Sequence, residues 1–461
     1  MSKQNKSINR RDFIKIVGIT TAATTAAFYG CNPKDYRATD RSALTPVPTD
    51  KMTYRTFPLI GDKVSLLGYG CMRWPTIPSP DGKGDLIDQD AVNKLVDYAI
   101  EHGVNYFDTS PVYVQGWSEK ATGIALKRHP RNKVLIATKL SNFRDHSREN
   151  GLAMYRKSFE DLQTDYIDYY LLHSIGGGGV EAFNERYINN GLLDFLLKER
   201  QAGHIRKLGF SFHGTADVFD YLLSIHDKIH WDFVQIQLNY LDWENASGNN
   251  VNANYLYPEL VKLNIPSIIM EPLLGGRLSN IPNYLVPRYK QREPEASVAS
   301  WAFRYAGSHE HILTVLSGMT YLEHLQDNIR TYSPLVPLTD SDYIFLQEMT
   351  KLILQNKTIP CNDCKYCMPC PYGIDIPAVL LHYNKCVNEG NIPNDRKDDT
   401  YRKNRRIFLI GYDRSVPKLR QANHCIGCEK CIPTCPQRID IPRELQSIDQ
   451  FVEKLKLETS I

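Results

Sequence analysis

Residues 105–113 read Asn-Tyr-Phe-Asp-Thr-Ser-Pro-Val-Tyr, a short apolar run that ends in an acid and leads into a loop with a tyrosine. Two later stretches are also short apolar runs that end in a polar residue. Residues 134–139 read Val-Leu-Ile-Ala-Thr-Lys, and residues 167–173 read Ile-Asp-Tyr-Tyr-Leu-Leu-His. Short apolar runs of this kind are typical of buried parallel strands. The polar residues that close them are therefore expected at one common edge of a sheet.

Eight such runs alternate with amphipathic helical patterns between Met52 and about Leu335. Eight strands, each followed by a helix, over roughly 280 residues predict an α/β fold with a (β/α)8 TIM barrel. The predicted strands are Val64–Leu67, Asn105–Asp108, Val134–Thr138, Ile167–Leu172, Lys207–Phe210, Phe233–Leu238, Ser267–Met270 and Ile312–Leu316. Functional residues of such barrels lie at the C-terminal ends of the strands.

Length, charge and cysteine count limit what the rest of the chain can do. The 461 residues suit two or three domains, and 42% hydrophobic residues suffice for a buried core. A net charge of +3 provides no general field for nucleic acid, so no nucleic-acid partner is expected. Nine of the 11 cysteines lie between Cys361 and Cys435, which indicates one local piece of chemistry.

The N-terminus resembles a twin-arginine export signal. Arg10 and Arg11 precede Phe13 and Lys15, and a mildly apolar run from Ile16 to Gly30 follows, too short to span a bilayer. Residues 1–31 are predicted to be this signal, which implies contact with the twin-arginine export machinery. Cys31 follows Gly30 and is either removed with the signal or carries a lipid anchor. Residues 32–51 are predicted to be a flexible linker.

Four polar residues follow predicted strands two, three and four, and together they form a usable catalytic set. They are Asp108, Tyr113, Lys139 and His173. A tyrosine is a poor acid near neutrality, but an adjacent ammonium stabilises its phenolate and lowers its pKa. Lys139 is expected to do so for Tyr113, with Asp108 holding the lysine, while His173 orients a carbonyl oxygen.

Residues 52–335 resemble the aldo-keto reductases. The stretches that carry the resemblance are Gly68-Tyr69-Gly70-Cys71-Met72-Arg73, Phe107-Asp108-Thr109-Ser110 with Tyr113, Ala137-Thr138-Lys139, Leu171-Leu172-His173, Gly209-Phe210-Ser211, Gln235-Ile236-Gln237-Leu238-Asn239, Glu271-Pro272-Leu273-Leu274-Gly275-Gly276 and Asp327-Asn328. The resemblance implies hydride transfer between a nicotinamide and a small carbonyl or alcohol substrate. By the same resemblance, Tyr113 is the catalytic acid.

The resemblance also implies the residues that bind the nucleotide. Ser211 and Gln235 match positions at the nicotinamide carboxamide, with Gln237 as the alternative to Gln235. Gly275, Arg277 and Asn328 match positions near the pyrophosphate and adenine. The family often has an asparagine after the serine, whereas this chain has Phe212 and then His213. The loop 317–320 lacks the basic residues that usually clamp a 2′-phosphate, so NADP and NAD both remain open.

Residues 336–461 are predicted to form a mostly α-helical ferredoxin-like domain with two cysteine runs, the second with the bacterial ferredoxin spacing. In that pattern the fourth cysteine of each run ligates the other cluster. One [4Fe-4S] cluster is therefore assigned to Cys361, Cys364, Cys367 and Cys435, and the other to Cys425, Cys428, Cys431 and Cys370. Two zinc sites are the alternative, which the packed spacing disfavours. Cys386 is predicted to be a packed thiol.

Two functions follow from this combination. The first is an exported oxidoreductase of the periplasm or cell envelope, whose clusters exchange electrons with a redox protein partner or serve a structural role. The second is a non-catalytic iron–sulfur module that binds nucleotide or senses redox state, because a barrel alone does not prove activity. Twin-arginine export carries folded proteins, which agrees with cofactors inserted before export.

Overall fold

The computed structural model describes residues 46–80, 85–248 and 250–458, and the chain from Val47 onward forms one compact unit. Eight parallel strands close into a barrel in chain order, and helices surround it. The predicted (β/α)8 barrel is therefore confirmed. In chain order the strands are β1 (Tyr54–Arg55), β2 (Val64–Ser65), β3 (Leu67–Gly70), β4 (Thr76–Pro78), β5 (Asp85–Ile87), β6 (Tyr106–Asp108), β7 (Leu135–Leu140), β8 (Ile167–Ile175), β9 (Ile205–Phe212), β10 (Phe233–Gln237), β11 (Ser267–Met270) and β12 (Ile312–Ser317).

The first barrel strand lies further along the chain than the sequence predicts. β3 pairs with β12 and β6, whereas β2 pairs antiparallel with β1 outside the barrel. The two glycines of β3 weaken its strand pattern, and Gly68 has a packing reason to be there. A Cβ at this position would lie 2.7 Å from the Leu316 side chain and 2.8 Å from that of Thr314.

Amphipathic helices cover the barrel at the predicted places. The helix Gln89–Glu101 begins where the Asp88 carboxylate accepts from the Ala91 backbone N–H at 3.0 Å, and it buries Val92, Leu95, Val96 and Ala99. The other helices up to residue 331 are Ser118–Leu126, Arg148–Leu162, Gly179–Phe183, Leu192–Gln201, Ala216–Ser224, His226–Ile229, Asp242–Asn245, Ala253–Lys262, Val286–Arg292, Val298–Gly307 and Leu322–Thr331.

Four helices follow the barrel: Asp340–Leu354, Ile376–Asn388, Tyr401–Ser415 and Ile441–Leu457. Pro377 and Pro442 lie in first helical turns and are preceded by the capping aspartates Asp375 and Asp440. The helix Tyr401–Ser415 ends shortly before Pro417, which lacks the backbone N–H that would continue it. No helix among the described residues is long and apolar enough to cross a membrane.

Three apolar clusters hold the described parts of the chain together. The barrel and its helices share one extensive core, and a smaller cluster fills the barrel interior. The C-terminal helices have their own core, which includes Phe408, Val379 and Leu445 and also contains the thiols of Cys361 and Cys435. Cysteines of both runs are thus packed into the C-terminal core.

Candidate active site and cysteine sites

The structure brings the four residues of the predicted catalytic set together at the C-terminal ends of β6, β7 and β8. Lys139 Nζ donates to Asp108 Oδ1 at 2.5 Å and to the Thr109 carbonyl oxygen at 2.9 Å. The same ammonium lies 5.1 Å from the centroid of the Tyr113 ring. The rings of Tyr113 and His173 meet edge to face with centroids 5.8 Å apart. An acid, an ammonium, a phenol and an imidazole therefore share one site.

The electrostatics of Tyr113 differ from the sequence expectation. Burial, the neighbouring Tyr366 and the Asp108 carboxylate raise the pKa of Tyr113 well above its ordinary value. The expected lowering by Lys139 is wrong, because burial of the phenolate outweighs the ammonium. A raised pKa keeps the phenol protonated near neutrality. Tyr113 is accordingly suited to donate a proton rather than to accept one.

His173 is held neutral and oriented by two serines. Burial, Lys139 and Arg186 lower the pKa of His173 well below its ordinary value. Its Nδ1 lies 2.5 Å from Ser141 Oγ and 3.3 Å from Ser110 Oγ, and those hydroxyls are 2.9 Å apart. These contacts fix the ring with Nε2 on the side facing Tyr366. Neither serine was singled out from the sequence, since each acts through the histidine.

Ser211 and Gln235 lie side by side on β9 and β10, where they are paired in register. Ser211 Oγ accepts from the Ser174 backbone N–H at 2.8 Å. Gln235 Oε1 is buried and has no hydrogen-bond partner among the described residues. A buried amide oxygen without a partner is costly. It suits an incoming amide N–H₂ group, and the nicotinamide carboxamide carries one.

Gln237, the alternative to Gln235, already has partners. Its Nε2 donates to the carboxylate of Asp242, and its Oε1 accepts from Gln437 Nε2 at 3.4 Å. Burial raises the pKa of Asp242 to about 6, so the carboxyl group that accepts from Gln237 is a weaker acid than usual. Gln437 follows the second cysteine run, so Gln237 links the barrel to the C-terminal domain.

Of the residues expected near the pyrophosphate and adenine, the structure places Gly275 and Arg277 against the first cysteine run. A Cβ on Gly275, whose φ is +66°, would lie 2.0 Å from the Asn362 carbonyl oxygen. Burial lowers the pKa of Arg277, while Asp242, Cys361 and Glu271 oppose that change. Asn328 lies apart from them and donates to Ser317 Oγ at 2.9 Å.

The cysteines fall into two groups of interacting thiols. Burial raises the pKa of Cys361 to about 11 and of Cys364 to about 12, and the nearby Cys435 adds to both shifts. Cys367 interacts with all three of these thiols. Burial also raises the pKa of Cys431 to about 11, and further raising comes from Cys425, Cys428 and Cys370. In each group, the fourth thiol comes from the other run.

No three His, Cys, Asp or Glu side chains of the described part of the chain converge tightly enough to hold one metal ion. All ten cysteines within the described ranges are free thiols.

The first cysteine run also reaches the barrel's catalytic set, which the sequence did not predict. Tyr366 lies between Cys364 and Cys367, and its hydroxyl is 3.5 Å from His173 Nε2. Arg73 Nη1 pairs with Asp363 at 3.0 Å, and Asn362 Nδ2 donates to Glu271 Oε1 at 3.0 Å. Arg73 and Glu271 stand in motifs recognised from the sequence. Tyr366 carries no such signal, because its contact depends on how the distant run docks.

Comparison with known proteins agrees with this geometry. The model of the Aldo/keto reductase family matches residues 66–350, more than half of the chain, and the chain belongs to this family. The protein is an oxidoreductase of the aldo/keto reductase type. It is 28% identical over 311 residues to an L-galactose dehydrogenase of Arabidopsis thaliana, covering 62% of this chain and 90% of the relative. It is 23% identical over 335 residues to an NADH-specific methylglyoxal reductase of Escherichia coli, covering 65% and 99%.

Solved structures share the barrel. An aldo-keto reductase of Bacillus halodurans in its holo form superimposes with a TM-score of 0.51 at 22% identity, covering 65% of this chain and 96% of that chain. An aldo-keto reductase of Klebsiella pneumoniae in complex with NADPH gives 0.51 at 20% identity, with the same coverage of 65% and 96%. At these identities the likeness shows the fold.

Proposed function

We propose that this protein transfers hydride between a nicotinamide nucleotide, NADP or NAD, and the carbonyl or alcohol group of a small substrate. The observation that carries the proposal is the buried Lys139–Asp108 pair beneath Tyr113, with His173 beside the phenol. The names of the relatives point the same way, since one is a dehydrogenase and another a methylglyoxal reductase.

Each residue of the set has a task in this reaction. Tyr113, kept protonated by burial, donates the proton that the carbonyl oxygen takes up during reduction. His173 is neutral, and its Nε2 orients that oxygen. Lys139 and Asp108 form the buried ion pair next to the phenol. A bound nicotinamide supplies the hydride for reduction or takes it up during oxidation.

Ser211 and Gln235 would hold the nicotinamide carboxamide, with the unpartnered Gln235 Oε1 as acceptor. Gly275 and Arg277 were expected at the pyrophosphate, but both pack against the cysteine run. Asn328 is proposed for the adenine end of the nucleotide. Neither NADP nor NAD is favoured by these contacts: one solved structure is bound to NADPH, whereas one relative is named as NADH-specific.

We further propose two [4Fe-4S] clusters in the C-terminal domain, with the crossed ligand sets defined by the two thiol groups. The mutual effects of Cys361, Cys364 and Cys367 with Cys435 support the first set. Those of Cys431 with Cys425, Cys428 and Cys370 support the second. Such clusters carry single electrons, here to or from a redox protein partner.

Residues 52–335 and 336–461 are proposed as the barrel and cluster domains. The proposed twin-arginine signal and the Cys31 lipidation site lie outside the described residues. Export of the folded, cluster-loaded protein to the periplasm or cell envelope follows from that signal. Since no free nicotinamide pool is expected there, the nucleotide should copurify with the protein.

Anaerobic purification, followed by denaturation, mass spectrometry of the released nucleotide and counting of iron and sulfide, tests the cofactors. The reaction is tested with Tyr113→Phe, which should lower kcat by about 10²–10⁴ while nucleotide binding persists. Wild-type protein that turns over no carbonyl or alcohol across a diverse panel would instead support the non-catalytic module. Stopped-flow mixing with NAD(P)H separates electron transfer from a structural role: clusters that never bleach are structural.

A further inference from the structure

Tyr366 reaches the catalytic set from the C-terminal domain. Tyr366 adds to the rise in the pKa of Tyr113, so the two phenols are close neighbours. The hydroxyl oxygen of Tyr366 lies 3.5 Å from His173 Nε2, and the Tyr366 ring packs 6.5 Å from the imidazole, centroid to centroid. Tyr366 therefore contacts the orienting histidine and lies beside the proton donor.

A carbonyl oxygen undergoing reduction needs the same two contacts. It must face the donor so that the proton can move, and it must face the histidine that polarises it. The hydroxyl of Tyr366 lies in this place, 3.5 Å from the orienting nitrogen of His173 and beside Tyr113. Two oxygens cannot share this place, so Tyr366 and a substrate carbonyl compete for it.

The run that carries Tyr366 is fastened over the barrel. Arg73 pairs with Asp363 at 3.0 Å and donates to the Asn362 carbonyl oxygen at 2.7 Å. Asn362 in turn donates to Glu271 at 3.0 Å. Under this cover only 8% of Tyr113 and 4% of His173 are exposed. A substrate reaches the two residues only when the cover moves.

We propose that Tyr366 is a built-in competitor of the substrate and thereby sets its specificity. A carbonyl binds productively when its contacts outweigh those of the phenol it displaces, so weakly held small carbonyls are excluded. The displacement moves the segment 361–367 away from the barrel, which couples substrate entry to the domain that carries the cysteines. This inference rests on the proposed carbonyl reduction.

The test compares wild type, Tyr366→Ala and Tyr366→Phe, each as full-length protein purified anaerobically, with NADP⁺ or NAD⁺ at saturation. Acetate is the probe, because its carboxylate offers an oxygen to Tyr113 and His173, and its affinity is measured by calorimetry. Tyr366→Ala should bind acetate roughly tenfold more tightly than wild type, since neither the phenol ring nor its hydroxyl competes any longer. Tyr366→Phe keeps the ring and should gain about threefold.

Tyr372→Phe is the matched control, an exposed tyrosine close to the same run, and it should leave acetate binding unchanged. Iron and sulfide content of each variant shows whether the cysteine sites stay intact. Equal acetate affinity in the wild type and both Tyr366 variants would overturn the proposal, as would weaker binding by Tyr366→Phe. The acetate titration does not depend on turnover. A wild type without catalytic activity would therefore count against the proposed function and not against this inference.

Discussion

The ammonium of Lys139 donates to Asp108 Oδ1 at 2.5 Å, while the second carboxylate oxygen, Oδ2, has no partner among the described residues. Both side chains are almost fully buried. Breaking such a pair leaves an uncompensated buried charge at a cost of roughly 3–5 kcal/mol. Asp108→Asn and Lys139→Met should each lower the free energy of unfolding by about that amount, as measured by urea denaturation.

The double variant Asp108→Asn/Lys139→Met is the control for this prediction. It removes both charges together, so its loss of stability should be smaller than the sum of the two single losses. A double variant that loses the full sum would show that the two side chains act independently.

We expect Gln235 to strengthen nucleotide binding and to lower the stability of the nucleotide-free protein. Its Oε1 is buried and unpartnered, so Gln235→Met removes a desolvated acceptor from the nucleotide-free protein. We expect the free energy of unfolding of the nucleotide-free variant to rise by up to about 1 kcal/mol. Affinity for NAD(P)H should fall by about tenfold, because the carboxamide N–H₂ loses its acceptor. Fluorescence titration of NAD(P)H and urea denaturation measure the two effects.

Gln237→Met is the matched substitution two residues away. Gln237 is bonded to Asp242 and Gln437, so its loss should destabilise the protein and leave nucleotide affinity within about twofold. The reverse pattern, with Gln237→Met weakening nucleotide binding and Gln235→Met not, would assign the carboxamide contact to Gln237.

The crossed cysteine sets predict which substitutions share an effect. Cys435→Ser should perturb the same cluster as Cys364→Ser, and Cys370→Ser the same cluster as Cys431→Ser. Each should alter one set of electron paramagnetic resonance signals in the dithionite-reduced protein and leave the other. Cys435→Ser grouping with Cys431→Ser would mean that each run binds its own cluster.

Cys386→Ser is the control for these four variants. Cys386 is buried among the C-terminal helices, 3.6 Å from His382 Nε2. Its substitution should leave iron, sulfide and spectra unchanged. Zinc in place of iron in protein purified anaerobically from iron-replete cells would contradict the cluster assignment altogether.

Glu119 should make stability depend on pH. It is buried and accepts from Thr138 Oγ1 at 2.5 Å, and burial raises its pKa to about 7. A carboxyl group whose pKa is raised in the folded state contributes its full stability to the protein below its ordinary pKa near 4.5. This contribution is lost as the pH rises to about 7. Glu119→Gln lacks the buried charge and should be more stable than wild type by about 3 kcal/mol at pH 8.

The gain from Glu119→Gln should vanish at about pH 4.5, which urea denaturation at several pH values measures. Glu160→Gln, at an exposed position on the helix Arg148–Leu162, should leave the profile unchanged. A difference between Glu119→Gln and wild type that stays constant from pH 4.5 to 8 would show that Glu119 does not titrate in this range.

The barrel and the placement of the catalytic set were predictable because both depend on local patterns. An apolar run ending in Asp108, Lys139 or His173 encodes a buried strand and its functional end together. The first strand was misplaced because the glycines of β3 hide its pattern, whereas Val64 belongs to a hairpin outside the barrel. Gly68 is needed because side chains from β12, distant in sequence, pack against it.

The pKa of Tyr113 and the role of Tyr366 could not be predicted for the same reason. Lys139 is close enough to affect the phenol, but the degree of burial decides the sign of the pKa shift, and Tyr366 from the cysteine run adds to it. Tyr366 lies 193 residues from His173 in the sequence. No periodicity or spacing connects positions that meet only when distant parts of the chain pack together.

Gly275 limits how this protein can be recombined with its relatives. Its missing side chain lets the Asn362 backbone approach the barrel, and any Cβ there would collide with the carbonyl oxygen at 2.0 Å. A chimera that grafts the cysteine domain onto a related barrel therefore needs glycine at this position. With any other residue at this position, the grafted cysteine domain could not pack against the catalytic end of the barrel. The chimera would then be a reductase whose cysteine domain is attached but not docked.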